Sequence, residues 1–127
     1  MKVLYVDDDW KLAGDMRVLM PPEIGLIWVP DSKAAVDFLY RGDLPDAIIL
    51  DLCLPAFLSE VNETEGLRLL DLMRNMLAED VPVVILSQFA RDEAEEACLK
   101  HGANAYMEKP CAVSDLVDLL VRLVSGS

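Results

Sequence analysis

Short runs of apolar residues alternate along this chain with longer segments in which apolar residues recur every three or four positions. The run Ala47–Leu50, which Asp51 ends, contains no polar residue and is typical of a strand that is covered on both faces of a sheet. Similar runs predict four further strands, over Lys2–Val6, Ile24–Val29, Val83–Leu86 and Ala105–Met107.

The segments between these strands have the apolar spacing and the end signals of helices. Aspartates or serines at N-cap positions, capping-box pairs, and prolines or glycines after the last turn mark their limits. Five helices are predicted: from Asp7–Asp9 to about Leu19 or Met20, from Asp31 or Ser32 to about Gly42, over Gly66–Leu77 behind a capping box of Asn62 and Glu65, from a capping box of Asp92 and Glu95 to His101, and over Val113–Val124.

Strands that alternate with helices predict an α/β fold with a five-stranded parallel sheet, because right-handed crossovers place helices on both of its faces. The expected strand order in this doubly wound sheet is 2-1-3-4-5. In that order the first and third strands are neighbours, so Asp7, Asp8 and Asp51 should converge at the carboxyl edge. Ser87 and Lys109 end the fourth and fifth strands and are expected at the same edge.

The chain length of 127 residues fits one domain, which we place at residues 1–124, with residues 125–127 as a tail or the start of a linker. The net charge of -12 argues against direct binding to nucleic acid or to an anionic membrane, since both need basic patches. No apolar run has the length of a membrane span or of a signal peptide, so we expect a cytoplasmic protein. The three cysteines form no C-x-x-C pair, which argues against a disulfide framework and a zinc site.

Three carboxylates at one edge of a sheet repel one another unless a cation lies between them. Mg²⁺ is suited to this place because it prefers oxygen ligands and usually takes one or two carboxylates together with water or phosphate. We assign Asp8 to the metal, whereas Asp9 is better explained as the N-cap of the first helix.

Asp51 precedes Leu52-Cys53-Leu54-Pro55 and not a helical start, so capping does not explain it. Beside a cation and Lys109, its carboxylate can attack an electrophilic phosphorus and form an acyl phosphate. The hydroxyl group of Ser87 can then donate to a phosphoryl oxygen. A hydrolase with an aspartate nucleophile is an alternative, but it needs a second acid two residues later, where this chain has Cys53.

Several short motifs occur in an order that identifies a known family. They are Val6-Asp7-Asp8 after the first strand, Leu50-Asp51-Leu52 with Pro55 at the third, Ser87 at the fourth, and Gly102-Ala103-Asn104-Ala105-Tyr106 leading to Lys109-Pro110. With these motifs the chain resembles, along its whole length, the receiver domain of two-component response regulators. The resemblance implies the flavodoxin-like receiver fold and a role in signalling, with no enzymatic activity beyond gaining and losing a phosphoryl group.

The resemblance also implies a metal site and a phosphoryl acceptor. Asp51 corresponds to the phosphoacceptor, and Asp8 and Asp51 correspond to direct ligands of Mg²⁺. The backbone carbonyl of Cys53 corresponds to the third protein ligand, and Asp7 acts on the metal through water.

A switch is the second implication of the resemblance. Lys109 pairs with the phosphoryl group, and its bond to Pro110 is expected to be cis, which is uncommon for such bonds. The Ser87 hydroxyl moves toward the phosphoryl group and the ring of Tyr106 turns inward. These movements reshape the face formed by the fourth helix, the fifth strand and the fifth helix.

The partners implied are a sensor histidine kinase or a histidine phosphotransfer protein, which supplies the phosphoryl group, and a downstream protein target. Leu119 and Leu123 form a second apolar row on the last helix. This row fits either a deeply buried helix or a homodimer interface on the switching face.

Two departures from the family pattern leave alternatives open. The segment Ala56–Glu65 is longer than the corresponding family loop by about seven residues, and is either a solvated insertion or a loop that covers the site or docks a partner. Gln88 takes the place of a small residue and is expected to modulate access to the site. Both departures favour a second hypothesis, in which the chain is an atypical receiver that docks partners with little or no phosphorylation.

Overall fold

A computed structural model describes residues 1–51, 65–77 and 80–126 of the chain. Strands and helices alternate along these residues, as the sequence predicts. The elements are β1 Lys2–Val6, α1 Trp10–Leu19, β2 Gly25–Val29, α2 Ser32–Tyr40, β3 Ala47–Asp51, α3 Glu65–Met76, β4 Val83–Ser87, α4 Arg91–Lys100, β5 Ala105–Glu108 and α5 Val113–Ser125.

The five strands form one parallel sheet in the order β2-β1-β3-β4-β5, which confirms the predicted fold class. Val6 pairs in register with Leu50 of β3, and Asp51 pairs with Leu86 of β4. Ser87 pairs with Glu108 of β5. Because the strands are parallel and in this register, the residues that follow β1, β3, β4 and β5 emerge along one edge of the sheet.

Helices cover both faces of the sheet. The first face packs against α2, α3 and α4, and the second packs against α1 and α5. The residues Ala47–Leu50 are completely buried, which is the reason for their unbroken apolar character. Among the described residues, none of the helices combines the length and the apolar character that crossing a bilayer requires.

Some helix ends lie where the sequence predicts them, and others differ from the prediction. The Asp9 carboxylate accepts hydrogen bonds from the backbone N–H groups of Lys11 and Leu12, which confirms Asp9 as the N-cap of α1. Asp31 caps α2 by accepting from the N–H of Ala34. The helix α5 includes Ser125, one residue beyond its predicted end, and Gly126 closes it with a left-handed φ of 78°.

The predicted capping box at the start of α4 is wrong. The helix begins at Arg91, and the backbone N–H of Ala90 donates to the carboxylate of Glu93 at 3.0 Å. Glu93 lies three residues after the N-cap and can reach back to it, whereas Glu95 lies one half-turn further along. Glu95 instead pairs with Arg91 at 2.8 Å. The other predicted capping box, with Asn62, lies outside the described residues, as do Cys53, Pro55 and the loop side chains up to Glu65.

Arg74 of α3 joins three parts of the chain at the edge of the sheet opposite the acidic residues. Its guanidinium group donates to the backbone carbonyls of Val81 and Gly102, both at 2.8 Å, and to the side chain of Asn104. Gly102 has a φ of +105°, and a Cβ atom added there would lie 2.9 Å from Cγ of Arg74. Glycine is therefore needed at this position both for its backbone conformation and for the close approach of the arginine.

We expect Arg74→Ala to lower the free energy of unfolding by about 2 kcal/mol, because it removes charge-assisted hydrogen bonds from partly buried carbonyl groups. The matched control is Arg17→Ala on the exposed side of α1, for which we expect a change within about 0.5 kcal/mol. Urea denaturation followed by circular dichroism measures both. Equal effects in the two variants would show that Arg74 does not hold these segments together.

Candidate functional site

Three carboxylates meet at the carboxyl edge of the sheet. Asp7 and Asp8 follow β1, and Asp51 ends the neighbouring strand β3. One oxygen from each lies within 4.8 Å of the other two. Asp7 is completely buried and Asp51 is 4% exposed, whereas Asp8 reaches solvent. The strand order thus brings the acids together as the sequence predicts.

Lys109 supplies the positive charge beside these acids. It follows β5, and its backbone N–H donates to the carbonyl of Ser87 at 2.7 Å, which fixes the chain against β4. Its Nζ lies 2.9 Å from Oδ2 of Asp7 and 3.7 Å from Oδ1 of Asp51. The following peptide bond, to Pro110, is cis. The ammonium group of Lys109 is therefore closer to Asp7 than to Asp51.

The Asp7 carboxylate accepts three hydrogen bonds. Oδ2 accepts from the hydroxyl of Tyr5 at 2.6 Å and from Nζ of Lys109 at 2.9 Å, and Oδ1 accepts from the backbone N–H of Asp9 at 3.0 Å. The indole N–H of Trp28 donates to the backbone carbonyl of Asp7 at 2.7 Å. Both the side chain and the main chain of Asp7 are thus held in place.

The protonation states follow from burial and from these contacts. Burial alone favours the neutral form of Asp7, but the donors Tyr5, Asp9 and Lys109 outweigh it, so the pKa of Asp7 lies below its usual value. Burial likewise disfavours the charged form of Lys109, but its hydrogen bond to Asp7 and the nearby charge of Asp51 raise its pKa above the usual value. The site therefore holds an ionised acid and an ionised base together.

The donor set of this site fits Mg²⁺. A cavity of about 390 Å³ opens beside it. Its walls are formed by Asp7, Asp8, Asp9, Trp10, Asp51, Gln88 and Lys109. The clustered carboxylate oxygens are hard ligands, and the cavity leaves room for the waters that Mg²⁺ keeps. The predicted carbonyl ligand, Cys53, lies outside the described residues.

A short hydrogen-bonded chain connects Ser87 with Tyr106. The backbone N–H of Phe89 donates to Oγ of Ser87 at 3.0 Å, and the hydroxyl of Tyr106 donates to the carbonyl of Phe89 at 2.7 Å. Ser87 is completely buried and Tyr106 is 2% exposed. One residue, Phe89, therefore links the end of β4 to the middle of β5 through its backbone.

Sequence reasoning missed three contributors to this site. Tyr5 and Trp28 look like core residues because each lies within an apolar strand. One signal could have identified Tyr5: it is two residues before Asp7, so the two side chains lie on the same face of an extended chain. Phe89 contributes only backbone groups, which no residue type reveals.

Removal of the Lys109 charge should destabilise the folded protein in Mg²⁺-free buffer. Lys109→Met keeps an apolar stem but leaves the buried Asp7 carboxylate without its cation, so we expect a loss of about 3 kcal/mol in the free energy of unfolding. Lys33→Met is the matched control, because Lys33 pairs with Asp37 on the surface of α2, and its loss should cost less than about 0.5 kcal/mol. Chemical denaturation at neutral pH measures both; similar losses would contradict a buried ion pair.

Comparison with known proteins agrees with this arrangement. Residues 3–121 match the family model of the response regulator receiver domain. An uncharacterised 14.6 kDa protein from the sodA1 3′ region of Leptolyngbya boryana is 30% identical over 122 residues, which cover 94% of this chain and 87% of that protein. The transcriptional regulatory protein KdpE of Staphylococcus aureus is 29% identical over 91% of this chain and 46% of its own length.

A solved structure shows the same likeness. The receiver domain of the Francisella response regulator 1452 superposes with a TM-score of 0.81 at 29% identity, over 98% of this chain and 97% of that one. The chain spans about half the length of the curated transcriptional regulators that it matches. Since the family model covers nearly all of the chain, the protein belongs to the response regulator receiver domains of two-component signalling systems.

Proposed function

We propose that this chain accepts a phosphoryl group on Asp51 from a phosphohistidine of a partner sensor kinase or histidine phosphotransfer protein. The observation that carries the proposal is the position of the Asp51 carboxylate, buried at the end of β3, 3.7 Å from Nζ of Lys109 and beside a cavity lined by further acids. The Asp51 carboxylate is therefore close both to a cationic side chain and to acids that could hold a second cation. Phosphoryl transfer depends mainly on such positioning and charge neutralisation.

In the proposed step a carboxylate oxygen of Asp51 forms a bond to phosphorus while the phosphorus–nitrogen bond of the phosphohistidine breaks. The electron pair of that bond stays on the imidazole nitrogen, and Asp51 becomes an acyl phosphate. Asp8, Asp51 and the backbone carbonyl of Cys53 would hold Mg²⁺, with Asp7 acting through water, and the ion would supply charge neutralisation at the phosphoryl oxygens.

Lys109 has two acceptors in this mechanism. Before transfer its ammonium group lies closer to Asp7, at 2.9 Å, than to Asp51, at 3.7 Å. A phosphoryl group on Asp51 adds negative charge on that side. We therefore expect the ammonium group to move from Asp7 to a phosphoryl oxygen.

The chain of hydrogen bonds through Phe89 supports a conformational response. If Oγ of Ser87 moves toward a phosphoryl oxygen so that its hydroxyl can donate, it draws away from the N–H of Phe89, from which it accepts at 3.0 Å. Movement of Phe89 then alters the carbonyl that Tyr106 binds at 2.7 Å. In the proposal this couples Asp51 to the face formed by α4, β5 and α5.

That face has the features of a binding surface for a downstream protein or for a second copy of the chain. It contains a cavity of about 740 Å³. Arg91 and Arg122 lie there together with Asp115 and Asp118, and Leu119 contributes apolar surface. Charges of both signs on one face can pair across a two-fold axis, which is consistent with a homodimer. A cytoplasmic location is part of the proposal, because Cys98 and Cys111 are free thiols, which persist in a reducing compartment.

Asp51→Asn should abolish phosphorylation. We expect the unmodified protein, incubated with Mg²⁺ and acetyl phosphate, to gain one phosphoryl group by intact mass spectrometry, and the variant to gain none, because an amide is not a nucleophile toward phosphorus. The matched control is Asp46→Asn, which changes an exposed aspartate just before the opposite end of β3 and should leave the adduct intact.

The same experiment separates the two hypotheses from the sequence. No adduct in the unmodified protein, with Mg²⁺ binding also absent by tryptophan fluorescence, would favour a docking module that is not phosphorylated. An adduct that persists in Asp51→Asn would place the acceptor on another residue.

Gln88→Ala should change the kinetics of the adduct and leave its site unchanged. The exposed side chain of Gln88 lines the cavity through which donor and water reach Asp51, so its removal should speed both formation and hydrolysis of the adduct severalfold. Timed intact-mass measurements give both rates. Asn75→Ala, an amide exposed on α3, serves as control; equal rates in all three proteins would show that Gln88 does not restrict access.

A further inference from the structure

The hydroxyl of Tyr5 has an unusual position for a residue in the middle of an apolar strand. Tyr5 is completely buried and belongs to the core cluster between the sheet and the helices α1 and α5. Its hydroxyl nevertheless reaches the edge of the acidic site and donates to Oδ2 of Asp7 at 2.6 Å. The donor is therefore held by the core of the protein and not by a surface loop.

The acceptor sites of Asp7 are unequally occupied. An ionised carboxylate offers about four lone-pair positions, two on each oxygen. Tyr5 and Lys109 fill both positions on Oδ2, whereas Oδ1 accepts only the backbone N–H of Asp9 among the described residues. One position on Oδ1 is thus the place where Asp7 can accept a hydrogen bond from a metal-bound water.

The rest of Asp7 is fixed as well. Its backbone N–H donates to the carbonyl of Val29 at 3.2 Å, and its backbone carbonyl accepts from Trp28 at 2.7 Å. With the main chain held by β2, the orientation of the carboxylate depends on the donors to its oxygens. Lys109 leaves Asp7 in the proposed phosphoryl transfer, so Tyr5 is then the donor that continues to hold Oδ2.

We propose that Tyr5 is a positioning residue that keeps Asp7 a water-mediated ligand of the metal and thereby favours Mg²⁺ over Ca²⁺. This inference rests on the Mg²⁺ site of the proposed function. Mg²⁺ requires nearly ideal octahedral geometry and keeps several waters, whereas Ca²⁺ accepts six to eight oxygen ligands in flexible arrangements, bidentate carboxylates included. A carboxylate held in one orientation through Oδ2 suits Mg²⁺, and a carboxylate that can rotate suits Ca²⁺.

Tyr5→Phe tests the inference because it removes the hydroxyl group and keeps the buried ring. We expect Mg²⁺ to bind about 10-fold more weakly, which is the usual effect of losing a group that orients a metal ligand. Ca²⁺ affinity should change by less than about threefold or increase, since the released carboxylate suits its flexible coordination. Metal titrations followed by tryptophan fluorescence measure both dissociation constants, because Trp10 lines the cavity and Trp28 contacts Asp7.

Controls separate this role from a general loss of structure. Tyr40→Phe, at a tyrosine that is 80% exposed on α2, should leave both dissociation constants unchanged. Equal weakening of Mg²⁺ and Ca²⁺ in Tyr5→Phe, or no change in either, would overturn the role of Tyr5. If the unmodified chain binds no Mg²⁺ at all, the proposed metal site fails and the inference fails with it.

A measurement on the unsubstituted sequence keeps the inference testable should Tyr5→Phe fail to fold. The chain has three tyrosines, so labelling with 3-fluorotyrosine gives three ¹⁹F resonances, and single Tyr→Phe changes at Tyr40 and Tyr106 assign them. We expect Mg²⁺ to shift the resonance of Tyr5 and to leave that of Tyr40 in place. A Tyr5 resonance that stays unmoved while Mg²⁺ binds would contradict a hydroxyl group that orients Asp7.

Discussion

The ion pair between Lys109 and Asp7 is the interaction on which the rest of the site depends. Asp7 is completely buried and close to two other acids, so its charge is tolerated only because donors surround it. Lys109 provides the one cationic donor to this carboxylate among the described residues, from a position 102 residues later in the chain. The pair thus ties the first strand of the sheet to the loop after the last strand. The packing of β1, β3, β4 and β5 side by side is what makes this contact geometrically possible.

Much of the fold could be predicted because the central strands carry a simple physical signal. A strand covered on both faces contains no polar residue, and Ala47–Leu50 and Val83–Leu86 both show this pattern. The start of α4 was predicted less well, because Asp92, Glu93 and Glu95 are all acids that can cap a helix. Which of them does so depends on where the turn after Ser87 ends, and Phe89 in that turn is held by a local hydrogen bond to Oγ of Ser87 and a tertiary one from Tyr106.

In the candidate site, too, some residues could be predicted from the sequence and others could not. Asp7, Asp51, Ser87 and Lys109 were predictable because each ends or follows a strand, and the parallel register brings strand ends to one edge. The hydrogen-bond partners that orient these side chains could not be predicted. A hydrophobicity pattern counts a tyrosine in an apolar strand as one more apolar residue, so it does not reveal the hydroxyl group that Tyr5 donates to Asp7. A backbone donor such as the N–H of Phe89 has no sequence signal at all. The residues that share this edge can therefore be predicted from the strand ends, whereas their orientation depends on contacts between residues far apart in the chain.

Two sets of contacts connect Asp51 with a distant face in the function that we propose. The ammonium group of Lys109 lies between two acceptors, at 2.9 Å from Asp7 and 3.7 Å from Asp51, so added charge on Asp51 need displace it only slightly. The Ser87 hydroxyl accepts from Phe89 and can donate elsewhere, and Phe89 is in turn bound by Tyr106. Lys109 thus has two alternative acceptors, whereas a shift of Ser87 Oγ would act on Tyr106 through the backbone of Phe89. In the function that we propose, charge on Asp51 would act through these contacts on α4, β5 and α5, and because packed cores do not deform continuously the response would be a discrete one.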